Sequence, residues 1–86
     1  MPKGLEKVGE VTHYFTKIGV AVVDITAPLK VGDRIAVKGM TTNFEQTVES
    51  MQIEGKNIEK AKPGDDIGMK VTDRVRNGDI VYRLVE

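Results

Sequence analysis

The chain has 86 residues, with 13 Lys and Arg set against 13 Asp and Glu, a formal net charge of +0 and no cysteine. That length holds one domain with a small core and leaves no room for a second. Neutrality excludes the basic excess of a typical duplex-DNA binder, while the lack of cysteine and the single histidine, His13, exclude a disulfide framework and a Cys- or His-ligated metal site.

The opening residues Met1 to Lys7 carry no apolar signal core, and no run approaches the ~18 apolar residues of a membrane helix. We therefore expect one soluble, cytoplasmic domain over residues 1–86, with 1–7 as a flexible N-terminal segment and no membrane contact. Val8 to Phe15 alternates, placing Val11, His13 and Phe15 on one side and Glu10, Thr12 and Tyr14 on the other, which predicts a half-buried strand. Gly9 marks a bulge or a close backbone approach within it. Ile18 to Ile25 is apolar on both faces and β-branched, the pattern of a central strand covered on both sides. Thr26-Ala27-Pro28 ends that run, since proline cannot donate to a ladder.

Leu29-Lys30-Val31-Gly32-Asp33-Arg34-Ile35 then turns the chain and starts Arg34 to Val37, and Gly39 closes that strand. The same device recurs at Lys62-Pro63-Gly64-Asp65 and at Arg76-Asn77-Gly78-Asp79. In each, glycine supplies a positive φ and the aspartate side chain accepts a nearby backbone N–H. Phe44 to Ile53 is the longest extended segment. Phe44, Gln46 and Val48 share one parity, Met51 and Ile53 the other, so a β-bulge near Glu49-Ser50 is needed to turn both sets inward. Glu54 to Asn57 is turn chemistry, with Ile58 and Ala61 pinning the next loop and a single helical turn allowed there. Ile67 to Val71 points Ile67, Met69 and Val71 inward, and Ile80 to Val85 puts Ile80, Tyr82 and Leu84 on one face. No α-helical period survives the glycines and prolines. Six short antiparallel strands would leave costly open edges, so the expected fold is all-β, a small closed six-stranded antiparallel β-barrel.

Chemistry is sparse. Gly4 and Gly9 have P-loop spacing, but Glu10 and Val11 stand where lysine and Ser/Thr would be required, so nucleotide binding is rejected. Asp65 reads as turn closure rather than as half of an acid pair with Asp66, because adjacent strand residues face opposite ways. His13 lacks a partner identifiable in sequence and reads as a core or rim histidine. Met51 and Met69 are core filler. Tyr14 and Tyr82 either cap the barrel ends or stack on single-stranded nucleic acid, with Lys17, Lys38, Lys70, Arg74, Arg76 and Arg83 near the backbone. Nothing specifies catalysis or a cofactor.

The order of motifs is itself distinctive: Gly19-Val20-Ala21-Val22-Val23, the Leu29 to Ile35 turn, Val48 to Ile53, Ala61 to Gly68, and Val75 to Val81. It resembles domain II of the translational GTPases of the elongation factor Tu and 1A type, over about Val8 to Val85. The part from Phe44 to Tyr82 is also similar to the C-terminal barrel of collagenase-like peptidases, members of which are associated with RNA modification. The first resemblance implies a translation-factor-like barrel that binds RNA, tRNA or a ribosomal site, without catalysis and without a nucleotide of its own. It places the pocket for the terminal adenosine at Phe15, Lys17, Ile18, Gln52 and Asp66. Gln52 stands where those factors carry glutamate, and Lys17 and Ile18 where they carry glycine and arginine. The alternative expectation is a protein-interaction module, docking on a separately encoded GTPase or RNA-modifying enzyme through Ile18 to Ile25 or a strand edge.

Overall fold

Three turns of one design launch three strands. Asp33, Asp65 and Asp79 each donate a backbone N–H to the carbonyl three residues earlier, on Lys30, Lys62 and Arg76, at 3.1, 3.1 and 3.0 Å. The Oδ2 atom of the same three aspartates accepts the backbone N–H of those same residues at 3.1, 3.1 and 2.9 Å. Gly32, Gly64 and Gly78 sit at φ 98°, 96° and 92°, which a residue with a Cβ adopts only under strain. The strands that follow start within one residue of the aspartate.

The computed structural model describes residues 4–85. Its strands are β1 (Gly4–Phe15), β2 (Val20–Ile25), β3 (Leu29–Lys30), β4 (Arg34–Lys38), β5 (Asn43–Thr47), β6 (Met51–Ile53), β7 (Lys56–Ile58), β8 (Lys60–Ala61), β9 (Asp66–Lys70) and β10 (Ile80–Val85). All-β is thus the observed class, with ten strands where six were expected, and Lys60–Ala61 is a strand where a helical turn was allowed. Of the segment expected to be flexible, residues 1–3 lie outside the described residues, and Gly4 to Lys7 pair with Val85 to Tyr82 of β10.

The main sheet has the order β5-β4-β10-β1-β2-β9-β6-β7, and β3 pairs with β8 apart from it. These ladders are open, which corrects the closed six-stranded barrel. The reason lies in residues 43–53. One bulged strand there would have paired with β4 at its start and β9 at its end, joining the two sides of the sheet. Instead the segment breaks at Val48 to Ser50: β5 pairs with β4, β6 with β9 and β7, and no ladder links β5 to β6. The parity expectation within it still holds in part, since Gln46, Val48 and Met51 are buried and Phe44 and Ile53 pack against the core.

Side-chain and loop bonds take over where the ladder stops. Gln46 of β5 is buried; its Nε2 donates to the Lys70 carbonyl at 2.8 Å, and the Thr72 N–H donates to its Oε1 at 2.7 Å. An amide side chain thereby imitates one ladder rung between the β5 edge and the end of β9. Val48 is held to the first turn, donating to Asp33 O and accepting from Gly32 N, both at 2.9 Å.

Two irregularities bend β1. Its register against β10 shifts between Lys7 and Gly9, and against β2 between Val11 and His13. At Gly9 a Cβ would meet Val23 Cγ1 at 2.5 Å and Asp24 O at 2.9 Å, so the expected close approach is real. The second shift reverses the alternation: Val8 and Val11 are buried, while His13 and Phe15 are exposed and Tyr14 packs against the core. That corrects the single face drawn through Val11, His13 and Phe15. On β2, Ala21, Val23 and Ile25 are buried, but Asp24 is exposed and Val20 and Val22 are half-buried, so only one side of this central strand is covered. In β9, Ile67 and Met69 point inward as expected, followed by Val71, and in β10 the fully buried residue is Val81.

Replacing Gln46 by leucine removes the partner of the Lys70 carbonyl and of the Thr72 N–H at a part-buried site. At about 0.5–1.5 kcal/mol for each lost hydrogen bond, we expect urea denaturation to show a loss of about 1–3 kcal/mol with little change in m. A loss below about 0.5 kcal/mol, the level of an ordinary surface change, would show that the amide bridge is dispensable.

Candidate binding surface

Strand register decides which of the sequence-predicted residues can act together. The outward face of β1, β2, β9, β6 and β7 carries three rows. The first runs Phe15, Val20, Lys70; the second runs His13, Val22, Gly68, Gln52, Asn57; the third runs Glu10, Asp24, Asp66. Rows two residues apart along a strand are separated by roughly 6.6 Å.

Phe15, Lys17 and Ile18 come together on the turn between β1 and β2, where Ile18 and Gly19 both donate backbone N–H groups to the Phe15 carbonyl at 3.3 and 2.9 Å. Phe15 is 46% exposed and Ile18 63% exposed, and Lys17 is exposed between them. Gln52 lies one row away, with its Nε2 donating to Asn57 Oδ1 at 2.9 Å. Asp66 lies two rows away, roughly 13 Å along β9 from Lys70. The five residues therefore share a face without forming one pocket.

The chemistry changes along that face. At the Phe15 end an exposed aromatic ring, Ile18 and the half-buried Val20 and Val22 form an apolar strip, low in the middle because Gly68 adds no side chain. His13 lies on the rim, its ring edge-on to Phe15 with centroids 4.5 Å apart and planes at 65°. At the other end Asp24 sits directly opposite both Glu10 and Asp66. Like charges in register repel each other, and they also repel a phosphate backbone laid across the sheet. Of the cations expected to line an RNA path, Lys70 is on this face. Arg83 is held by Glu6 at 2.6 Å, and Lys38 donates to Asn43 Oδ1 at 3.4 Å. Tyr14, one of the two expected stacking platforms, packs against the core instead. Asp65 closes its turn as expected.

Sequence reading missed the acidic row, because Glu10, Asp24 and Asp66 meet only through register. It also missed that His13 and Phe15 face away from Val11, which depends on the irregularity around Thr12; that residue's type gives no signal for it.

No protein-family model matches the chain. It is 42% identical over 81 residues to an uncharacterized protease of Methanocaldococcus jannaschii, a match covering 93% of this chain and 20% of that protein. It is 38% identical over 79 residues to a collagenase of Porphyromonas gingivalis, covering 90% of this chain and 22% of that one. Among solved structures, the C-terminal domain of a Geobacillus thermoleovorans protein assigned to the U32 peptidases superposes with a TM-score of 0.86 at 25% identity, covering 91% of each chain. The chain is similar, over nearly its whole length, to the C-terminal domain of a U32 peptidase. The similarity to collagenase-like peptidases is thus upheld, and it reaches beyond Phe44 to Tyr82 to nearly the whole chain. The identification with domain II of a translational GTPase is not upheld, and the expected translation-factor-like RNA-binding function is overturned by relatives that are named as proteases and collagenases. The chain spans about a fifth of the length of these curated relatives. No helix among the described residues is long and apolar enough to cross a membrane.

The acidic row yields a direct test. Changing Asp66 to lysine turns the repulsion with Asp24 into attraction, and the urea midpoint should rise by an amount equivalent to about 0.2–1 kcal/mol at low ionic strength. Most of that gain should vanish in about 1 M salt, where the screening length falls to about 3 Å. A gain independent of salt would mean that the row is not electrostatically strained.

Proposed function

We propose that this chain is an accessory domain of a U32-type peptidase, without a catalytic centre of its own, which docks on the catalytic portion through the apolar strip at the Phe15 end of its outer sheet face. The observation that carries this reading is the 42% identity over 81 residues to one-fifth of a protease. A piece that small, recurring in proteins about five times longer, serves the larger remainder. The surface suits the role. Phe15, Ile18, Val20 and Val22 form an apolar centre, and His13, Gln52 and Lys70 form a polar rim around it. An aromatic and aliphatic centre depleted in charge, with polar groups at its margin, is the anatomy of protein interfaces. Catalysis by the chain itself would need a tuned acid and base, and the one histidine has a phenyl ring rather than a carboxylate against it.

A domain exchange tests the proposal. In the Porphyromonas gingivalis collagenase, the matching segment is deleted or replaced by this chain, and cleavage of gelatin is followed. Deletion should abolish most of the activity and the exchange should restore it. An exchanged domain carrying Phe15→Ser and Ile18→Ser should lose about tenfold or more in kcat/KM, the equivalent of roughly 1.4 kcal/mol in docking. The isolated double variant should keep most of its folding stability, because Ile18 is 63% and Phe15 46% exposed. Hydrolysis of gelatin by the isolated chain, or full activity after deletion, would overturn the proposal.

A further inference from the structure

A groove of about 520 Å³ lies beside the β3–β8 ladder, away from the apolar strip. Lys30, Lys60, Lys62 and Arg83 line it with Pro28, Leu29 and Ala61; Leu29 and Ala61 are only 2% and 3% exposed, so the exposed Pro28 is the apolar surface it offers. The ladder has only two residue pairs, Leu29 with Ala61 and Lys30 with Lys60. Half of this smallest element therefore sets two ammonium groups directly opposite each other, an arrangement that costs stability in the free protein. The ion pairs among the described residues are Arg34 with Glu45 and Arg83 with Glu6, so none neutralises Lys30, Lys60 or Lys62. Two carboxylates, Asp33 and Asp65, also line the groove; each keeps its charge while its Oδ2 accepts the backbone N–H of Lys30 or Lys62. In a chain of formal net charge +0, the lining thus sets Lys30, Lys60, Lys62 and Arg83 against two carboxylates and is positive on balance.

We propose that this groove binds an acidic segment of polypeptide, with its carboxylates on Lys30, Lys60 and Lys62 and an apolar side chain against Pro28. The volume falls in the range of roughly 300–1,000 Å³ typical of ligand sites, far more than a single small anion fills. A phosphate group is the poorer fit. Its preferred partner is the planar fork of arginine, and the arginine on this rim is occupied by Glu6 at 2.6 Å. Lysines act as point charges that match the carboxylates of a flexible chain, and contact with Pro28 adds a small apolar part to the binding. This inference goes beyond the accessory-domain reading and does not depend on it, because it concerns a different surface and is measured on the chain alone.

The test follows backbone amide shifts by NMR while the chain is titrated with three probes: a blocked tetrapeptide of sequence Asp-Leu-Glu-Glu, its Asn-Leu-Gln-Gln counterpart, and inorganic phosphate. The acidic peptide should shift the amides of Leu29, Lys30, Lys60, Ala61 and Lys62, and its affinity should fall severalfold as screening increases from about 0.01 to 0.15 M salt. The amide counterpart should bind at least about tenfold more weakly. Lys60→Gln should reduce affinity about fivefold while leaving the thermal midpoint unchanged or higher, since it relieves a repulsion. Lys30→Gln is the second variant should the first fail to fold. Absence of shifts with the acidic peptide at low salt, shifts centred elsewhere, equal binding of the amide counterpart, or tighter binding of phosphate than of the acidic peptide would each overturn the proposal.

Discussion

The acceptance of a backbone N–H by an aspartate carboxylate three residues later is the constraint on which this sheet depends. It occurs at Lys30 with Asp33, Lys62 with Asp65 and Arg76 with Asp79. Each bond holds a reversal in which glycine occupies a positive φ, and each reversal aims the next strand, β4, β9 or β10. Those three strands supply Ile35, Val37, Ile67, Met69 and Val81, a large part of the buried core. The turns also act at a distance. The Gly32-Asp33 turn anchors Val48, and Asp79 packs so closely on Gly39 that no Cβ could be accommodated there. Local turn chemistry and core packing are coupled at the same residues, and such agreement between levels is what allows so short a chain to specify one fold.

What was legible in the sequence follows from this. A Gly-Asp turn is encoded within four residues and needs no knowledge of distant partners, so all three could be read, as could the inward residues of β9 and the close approach at Gly9. Features that depend on pairing were hidden. Whether residues 43–53 form one bulged strand or two separate ones depends on which neighbour each half finds, and that choice decides whether the sheet closes. The bridge from Gln46 to Lys70 and Thr72 spans about 24 to 26 positions, and a glutamine in a strand carries no mark of it. The irregularity around Thr12 is silent for the same reason, yet it moves His13 and Phe15 off the face they were expected to share with Val11.

The charge balance illustrates how much composition conceals. A formal net charge of +0 suggests an unremarkable surface, but register gathers Glu10, Asp24 and Asp66 into one row and places Lys30 opposite Lys60 on another element. Both arrangements put like charges in direct opposition, which folding alone does not favour. Because net charge is summed over the whole surface, only the strand pairing discloses the acidic row and the opposed lysines. Electrostatic selection of partners acts on such local fields over roughly a Debye length, about 8–10 Å at moderate salt, and not on the total.

The resemblance to translation factors and the similarity to a U32 peptidase domain can be reconciled on physical grounds. The motifs that carried the resemblance were Gly19 to Val23, the Leu29 to Ile35 turn, Val48 to Ile53, Ala61 to Gly68 and Val75 to Val81, all of which build the sheet. Any chain that folds through such Gly-Asp turns needs glycine at the positive φ and a short acceptor after it, whatever its surface binds. Turn motifs therefore report constraints on the backbone, while function resides in the residues the backbone leaves free. Those residues are where this chain departs from the elongation-factor pattern: Lys17 and Ile18 at the tip of the β1–β2 turn, and Gln52 held by Asn57. An exposed isoleucine beside an exposed phenylalanine offers apolar area, and three carboxylates two rows away penalise the approach of a polyphosphate backbone.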